Sequence, residues 1–259
     1  MNVPEALLAL VPRLADAARA AILPHYRSQL LVDDKLDASP VTIADRGAEK
    51  AMREILEAER PEDGIIGEEF GRVREEADWV WVLDPVDGTK SFVTGRPTFV
   101  TLIGLLYQGR PVMGVIDQPV LDERWIGVKG KATTLNGQSV RCAPTLGLAR
   151  ARLGSTGPQY FTEEGRPRFD ALLTQCHFGL WGGDGYLYAQ LATGGLDMVI
   201  EEGLKLHDFA ALAPVVEGAG GRMTDWDGAP LTIHSEGRVL AAATASLHEQ
   251  ALGVLKYGR

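Results

Sequence analysis

The feature that most constrains this chain is residues 79–92, Trp-Val-Trp-Val-Leu-Asp-Pro-Val-Asp-Gly-Thr-Lys-Ser-Phe. Trp79 to Leu83 is apolar without a break, the pattern of a strand buried on both faces. It runs straight into Asp84. Pro85 has no N–H and is expected to end the ladder; Asp87-Gly88 is expected to turn the chain. Two carboxylates three residues apart then stand at a strand end, with the Val86 carbonyl between them. Three hard oxygens aimed at one spot suit Mg²⁺. The N–H groups of Gly88 and Thr89 fall where a short helical turn could begin, a seat for phosphate. A hairpin turn with merely solvated carboxylates is the competing reading of the same residues.

Helices and strands follow in blocks around that stretch. Leu7, Leu8, Val11, Leu14, Ala15, Ala18 and Ile22 recur at helical spacing, so a first amphipathic helix is expected from residue 4 to about 27. Residues 31–40, which carry Lys35, read as a loop or ragged hairpin. Thr42 can cap a second helix with Asp45 at its third position, in the manner of a capping box. Residues 64–67 read as a short strand leading to Glu68-Glu69, and the charged 71–77 as a mobile stretch able to close over a substrate. Residues 99–107 and 111–118 form a hairpin, 124–128 another strand, and Asn136-Gly137 a two-residue turn. Beyond a crossing at 143–150 come strand 152–155, helix 167–176, helix 186–193, strand 196–201, helix 205–218, strand 239–243 and helix 246–256. This alternation fits a layered α/β sandwich.

Composition narrows the partners. The 259 residues are 45% hydrophobic and 24% charged, ordinary for a globular enzyme of one large domain or two small ones. A net charge of −9 with no basic stripe argues against nucleic acid. Phosphate esters stay open, because bound cations can reverse the local field. Cys142 and Cys176 form no CxxC pair, which excludes a disulfide framework or cysteine zinc site and suits a reducing compartment. No apolar run reaches membrane-spanning length and no secretory signal is recognisable, so no membrane partner and a cytoplasmic location are expected.

Glu68 follows a strand, as Asp84 does. If the strands are neighbours, Glu68, Asp84, Asp87 and the Val86 carbonyl share one end of a sheet. Four such oxygens can hold two divalent cations roughly 3.5–4 Å apart, the spacing that clamps attacking and leaving oxygens in phosphoryl transfer. Each residue alone has a plainer reading. Glu68-Glu69 is a solvated loop, Asp208 and Asp45 are helix caps, and Thr89 is a turn threonine. His207 reads as a packing or capping residue rather than a ligand. Other motifs fail on spacing. Asp84-Pro-Val-Asp87 is not the Asp-x-Asp of aspartyl-phosphate phosphatases, and Gly88-Thr89-Lys90-Ser91 lacks a P-loop's glycine-rich approach. Gly183-Asp184-Gly185 lacks the third glycine of a dinucleotide fingerprint. The five histidines show no HExxH pattern, which argues against zinc.

Three segments, in order, resemble the inositol monophosphatase superfamily, which are Mg²⁺-dependent and often lithium-sensitive phosphatases. Gly67-Glu68-Glu69 looks like the first acidic motif, and residues 81–89 are similar to the defining signature. Leu206-His207-Asp208 with Glu217-Gly218-Ala219-Gly220-Gly221 looks like the C-terminal motif, with His207 where the family often has Trp. The resemblance spans nearly the whole chain. It implies an α/β (α+β) fold, a layered αβαβα sandwich in a single domain over 1–259, with halves of about 1–142 and 143–259, and a homodimer. It implies two or three Mg²⁺ per subunit, with Li⁺ inhibitory, and a small phosphate monoester as substrate. By position, Glu68, Asp84 and the Val86 carbonyl would bind the first ion, and Asp84, Asp87 and Asp208 the second. Thr89, hydrogen-bonded to Asp45, would orient and help deprotonate the attacking water. The Gly88 and Thr89 N–H groups would hold phosphate.

Residues 87–92, then Gly182-Gly183-Asp184-Gly185-Tyr186, then Glu201–Lys205 look most like the histidinol-phosphatase branch. Inositol-type members usually carry Asn where Ser91 stands and a small residue where Asp184 stands. Histidinol phosphate carries an ammonium and an imidazole that carboxylates of Asp184 and Glu201 would pair with, beside Gly183. Glu201 could equally accept hydrogen bonds from sugar or inositol hydroxyls, and Asp184 could be a loop aspartate capping the 186 helix. Inositol or broad sugar phosphatase activity is the alternative within the class. A regulatory binding protein of the same fold is the alternative outside it.

Overall fold

In the computed structural model, which describes residues 2–28, 33–34, 40–41 and 43–257, a one-turn helix α1 (Glu5–Leu8) leads into α2 (Leu10–Ile22). The periodicity reads as one helix, but the structure breaks it at Ala9. Pro12 has no N–H for the Leu8 carbonyl, so the register cannot run through. Asp33–Asp34 (β1) pairs antiparallel with Pro40–Val41 (β2), the ragged hairpin expected there. Lys35 and the expected cap Thr42 lie outside the described residues. Helix α3 (Ile43–Glu59) carries Asp45 in its first turn and buries Ala44, Ala48, Met52 and Leu56.

Strands β3 (Gly64–Gly67) and β4 (Gly71–Val73) are antiparallel neighbours. Of residues 71–77, read as a mobile stretch, the first three form the edge strand β4. Arg53 bonds the Gly71 carbonyl, and Arg74 bonds the Asp63 carbonyl and Glu57, both at 2.8 Å. Next, β5 (Trp79–Asp87) runs parallel to β3. Pro85 does not end it. A bulge between Asp84 and Asp87 absorbs the proline where no ladder N–H is needed, and the Thr101 hydroxyl donates to the Pro85 carbonyl at 2.7 Å. After α4 (Thr89–Val93) come β6 (Val100–Tyr107), β7 (Arg110–Gln118), β8 (Glu123–Val128), β9 (Thr134–Leu135) and β10 (Gln138–Ser139). The Asn136-Gly137 turn takes φ of 48° and 79°, the left-handed pair that the dipeptide predicts. Among the described residues these strands form an eight-stranded sheet, β10-β9-β8-β7-β6-β5-β3-β4.

The second half contains β11 (Arg152–Ser155), α5 (Gly165–Leu173), β12 (Phe178–Trp181), α6 (Tyr186–Ala192), β13 (Met198–Glu201), α7 (Leu206–Phe209), α8 (Leu212–Gly218), β14 (Arg222–Thr224), β15 (Val239–Ala242) and α9 (Ala245–Tyr257). Its five-stranded sheet is ordered β12-β11-β13-β15-β14. The sequence reading omits β12 and β14, both short edge strands without an alternating pattern. The single helix expected over 205–218 is two, because Pro214 has no N–H for the Ala210 carbonyl.

The strand period of two assigns alternate residues to opposite faces. On one face of the large sheet Trp81, Leu83, Ile103 and Met113 pack against Leu14, Ala18, Met52 and Leu56 of α2 and α3. On the other, Val80, Val82, Leu102 and Ile116 meet α6, α8 and the inner face of the small sheet, including Val199 and Ala241. The small sheet's outer face, with Leu153, Met198 and Leu240, is covered by Phe169 and Leu172 of α5 and Leu247 and Leu255 of α9. The result is the αβαβα order that the resemblance implies. A row of glycines seats α7 and α8. Gly104, Gly114 and Gly127 stand opposite one another on β6, β7 and β8, and a Cβ on Gly114 or Gly127 would overlap the Ala211 or Pro214 carbonyl. Their absence of side chains lets the α7–α8 backbone lie on the sheet, with α7 against β5.

Candidate active site

Strands β3 and β5 are parallel neighbours with Gly67 opposite Leu83, and the Glu68 N–H donates to the Leu83 carbonyl at 3.2 Å. Glu68 and Asp84 therefore leave the same end of the sheet, the condition the sequence set. Asp87 ends β5. Asp208 arrives from the other half on α7, where one carboxylate oxygen accepts the Lys205 N–H at 2.6 Å, as a cap does. Ligand atoms of Asp84, Asp87 and Asp208 all lie within 4.8 Å of one another, and so do those of Glu68, Asp84 and His207. Asp84 belongs to both groups.

Asp84 is 2% exposed and its Oδ1 has no hydrogen-bond partner. Burial, then the charges of Glu68, Asp87 and Asp208, push its carboxyl well above the ordinary range. Asp87 is pushed up by burial and by Asp184 and Asp208, against the Gly185 N–H that donates to it. Burial raises Asp208 to about 6 and also raises Glu68, the latter opposed by His207. Burial lowers the His207 imidazole. Carboxylates packed this way repel until a counter-charge arrives. A divalent cation is that counter-charge, and the orphaned Asp84 oxygen is a donor it would take. The residues present therefore fit a metal ion.

Gly88, at φ 83°, opens α4, and the Thr89 hydroxyl donates to the Val86 carbonyl at 3.1 Å. Asp45, Glu68, Asp87, Gly88, Thr89, Asp184, Glu201 and Asp208 line one cavity of about 420 Å³ between the halves. Asp84 and Val86 are buried behind its wall, and Gly183 does not line it. Asp184, at φ 45°, lays its carboxylate beside Gly88: a Cβ there would stand 2.8 Å from Oδ2. Burial raises its pKa, opposed by Thr156 and Arg96. Glu201 is 2% exposed; one carboxylate oxygen accepts the Thr156 N–H at 2.6 Å and hydroxyl at 2.9 Å. Burial still pushes it up to about 8.

Sequence reasoning missed several residues here. Glu49, fully buried, accepts the Glu69 and Phe70 N–H groups at 2.7 and 3.2 Å and Arg53 at 2.7 Å. It fills the space a Gly67 side chain would take, and so holds the turn that presents Glu68. Its spacing of four from Asp45 puts both on one helix face, a signal available in the sequence. Tyr188 reaches the cavity with a buried hydroxyl that has no partner. Lys90 Nζ donates to the Tyr160 hydroxyl at 2.7 Å, joining the halves at the cavity wall. His207 carried a signal too, standing beside Asp208 within the C-terminal motif.

Fold and site together place the chain among the phosphatases. It belongs to the inositol monophosphatase family, whose model matches residues 4–256. It is 47% identical to the bifunctional phosphatase IMPL2, chloroplastic, of Arabidopsis thaliana, over 94% of this chain and 73% of that protein. It is 35% identical to the histidinol-phosphatase of Mycobacterium tuberculosis, over 96% and 98%. Among solved structures, an inositol monophosphatase from Zymomonas mobilis superposes with a TM-score of 0.91 at 50% identity, covering 97% of this chain and 98% of that one.

Proposed function

We propose that this phosphatase hydrolyses L-histidinol phosphate to L-histidinol and phosphate, a step of histidine biosynthesis. The observation that carries the reading is the pair Asp184 and Glu201. Neither belongs to the two clusters able to hold a cation, yet both line the cavity, Asp184 beside Gly88. Buried carboxylates with raised pKa values gain most from a cationic partner. The ammonium and imidazole of histidinol supply one, and a neutral polyol does not. Likeness to a histidinol-phosphatase supports the same choice.

Glu68, Asp84 and the Val86 carbonyl would hold one Mg²⁺, and Asp84, Asp87 and Asp208 another. Such ions neutralise phosphate charge and make hydroxide available from water near neutral pH. The remaining steps fall to the chain's own groups. Gly88 and Thr89 N–H groups hold phosphate oxygens at the start of α4. The Thr89 hydroxyl, now donated to the Val86 carbonyl, would turn to Asp45 once that carbonyl serves as a ligand, and the pair would orient the attacking water and accept its proton. Asp184 and Glu201 fix the leaving group. Gly183 acts only through the backbone that presents Asp184. Because each half supplies part of this set, the two act as one domain. The exposed Phe178, Leu180 and Trp181 on edge strand β12 support a homodimer. Two free cysteines support a cytoplasmic location; among the described residues no helix is long and apolar enough to cross a membrane.

The test is Mg²⁺-dependent phosphate release from histidinol phosphate, inositol 1-phosphate, adenosine 3′,5′-bisphosphate and fructose 1,6-bisphosphate. A clear preference for histidinol phosphate is expected; preference for any other removes the assignment. Inositol 1-phosphate is the second reading, favoured by the likeness to the Zymomonas mobilis structure.

A further inference from the structure

We propose that His207 is itself a ligand of the cation held by Glu68 and Asp84. That position is then a mixed nitrogen–oxygen site selecting Mn²⁺, Co²⁺ or Zn²⁺ over Mg²⁺, while the Asp84–Asp87–Asp208 position stays all-oxygen. The proposal deepens the reading above and rests on its claim that both clusters hold cations.

Three observations carry it. First, a ring nitrogen of His207 lies within 4.8 Å of ligand oxygens of both Glu68 and Asp84. Second, Asp84, a member of the group, is buried and its Oδ1 has no partner, so it keeps an acceptor for a cation. Third, α7 aims two consecutive residues at the site. Leu206 and Phe209 are buried and fix the helix, leaving His207 and Asp208 between them. Adjacent helical positions diverge by about 100°, so one side chain reaches each cluster. Asp208 does not satisfy the imidazole: Nε2 to Oδ1 is 3.5 Å, and Oδ2 is occupied by the Lys205 N–H.

The ligand type decides the metal. Carboxylate and carbonyl oxygens suit Mg²⁺, which binds nitrogen poorly. Imidazole suits later first-row ions, whose affinities for a nitrogen-bearing site rise along the series toward copper. A tryptophan at this position could offer no lone pair. The histidine therefore changes the preference of one site without altering the carboxylates that both sites share.

The experiment loads the metal-free full-length protein with Mn²⁺ and records pulsed electron paramagnetic resonance, with no substrate present. Coupling from a directly bound imidazole nitrogen is expected, changing on nitrogen-isotope labelling of histidine. In His207→Gln the coupling should vanish and Mn²⁺ affinity fall by about tenfold or more, while Mg²⁺ affinity falls much less. Bound Mn²⁺ without nitrogen coupling overturns the proposal, as does coupling that survives His207→Gln. If that variant does not fold, the isotope comparison on the unaltered protein decides alone. Failure to bind Mn²⁺ at all overturns both this proposal and the two-cation reading. Mg²⁺-dependent phosphate release without nitrogen coupling overturns only this one.

Discussion

The two sheets divide the labour differently. The eight-stranded sheet delivers Glu68, Asp84 and Asp87 from the ends of two adjacent strands, and α3 beside it delivers Asp45. These positions are stiff: β5 is buried along nearly its whole length, and Glu49 fixes the turn after β3. Under the proposed function, the five-stranded sheet contributes mainly recognition. Glu201 ends β13, Thr156 follows β11, and Asp184 sits in a left-handed loop conformation before α6. Asp208 is the exception that joins the halves. The lesson is that Asp84 and Asp87 sit where strand register fixes them, whereas Asp184 sits on a loop that can vary at little cost to the fold; Glu201, on a paired and buried strand, cannot.

Substitutions on the two sides should therefore fail differently. The largest effect is expected at Asp84, shared by both clusters. Asp84→Asn should lower phosphate release on every ester by on the order of 10³-fold. The metal-free variant should melt higher than the unaltered protein, because a buried repulsion is gone. A variant that loses activity and stability together would mean Asp84 is structural. Asp184→Asn should cost about 10–100-fold in kcat/KM for histidinol phosphate, the scale of one lost charged contact, and much less on a small neutral phosphomonoester. Equal losses on both would put Asp184 with the chemistry and blur the division.

Gly114→Ala tests the seat of the corner between α7 and α8. Its new methyl meets the Ala211 carbonyl, so a loss of about 1–3 kcal/mol in denaturant unfolding is expected, with weakened cation binding through Asp208. Unchanged stability would show that the α7–α8 corner is not pressed onto the sheet there.

The smallest effect is on pH dependence. Glu201 is pushed up to about 8, and Asp84 and Asp87 well above their ordinary range. A carboxyl raised in the fold lends stability that is full below its unfolded value and is lost as pH rises through the folded value. Metal-free protein should thus lose roughly 1 kcal/mol per pH unit through Glu201 between about pH 6.5 and 8, and Asp84 and Asp87 act in the same direction. His248, held down at about 4 by burial, is neutral in the fold there and does not mask the trend. Mg²⁺ should flatten the slope. Thermal melts with and without Mg²⁺ check this, and parallel curves would contradict it.

The same division explains what could be read in advance. Asp84 and Asp87 lie in one short run because a single strand carries both, so residues 79–89 disclose them. Glu68 could be joined to them only on the condition that its strand is their neighbour, as it is, whereas Asp45 and Asp208 needed a family likeness to be joined. The layer order followed from helix and strand periods, since each element buries one face. The helix breaks at Ala9 and before α8 went unseen although Pro12 and Pro214 were in plain view; the apolar spacing continues across both. Edge strands β12 and β14 gave no signal, being short and half-covered. Pro85 misled, because a bulge removes the need for the N–H it lacks. Glu49 stayed hidden because a buried acid on a helix reads as surface until its partners, the N–H groups of Glu69 and Phe70, are placed.

The most direct test of the central claim, that carboxylates from both halves gather paired divalent ions, is anomalous diffraction from a crystal equilibrated with Mn²⁺. Two peaks roughly 3.5–4 Å apart are predicted, one touching Glu68 and Asp84 and the other touching Asp84, Asp87 and Asp208. No peak among these four side chains, or peaks confined to the outer surface, would contradict the account.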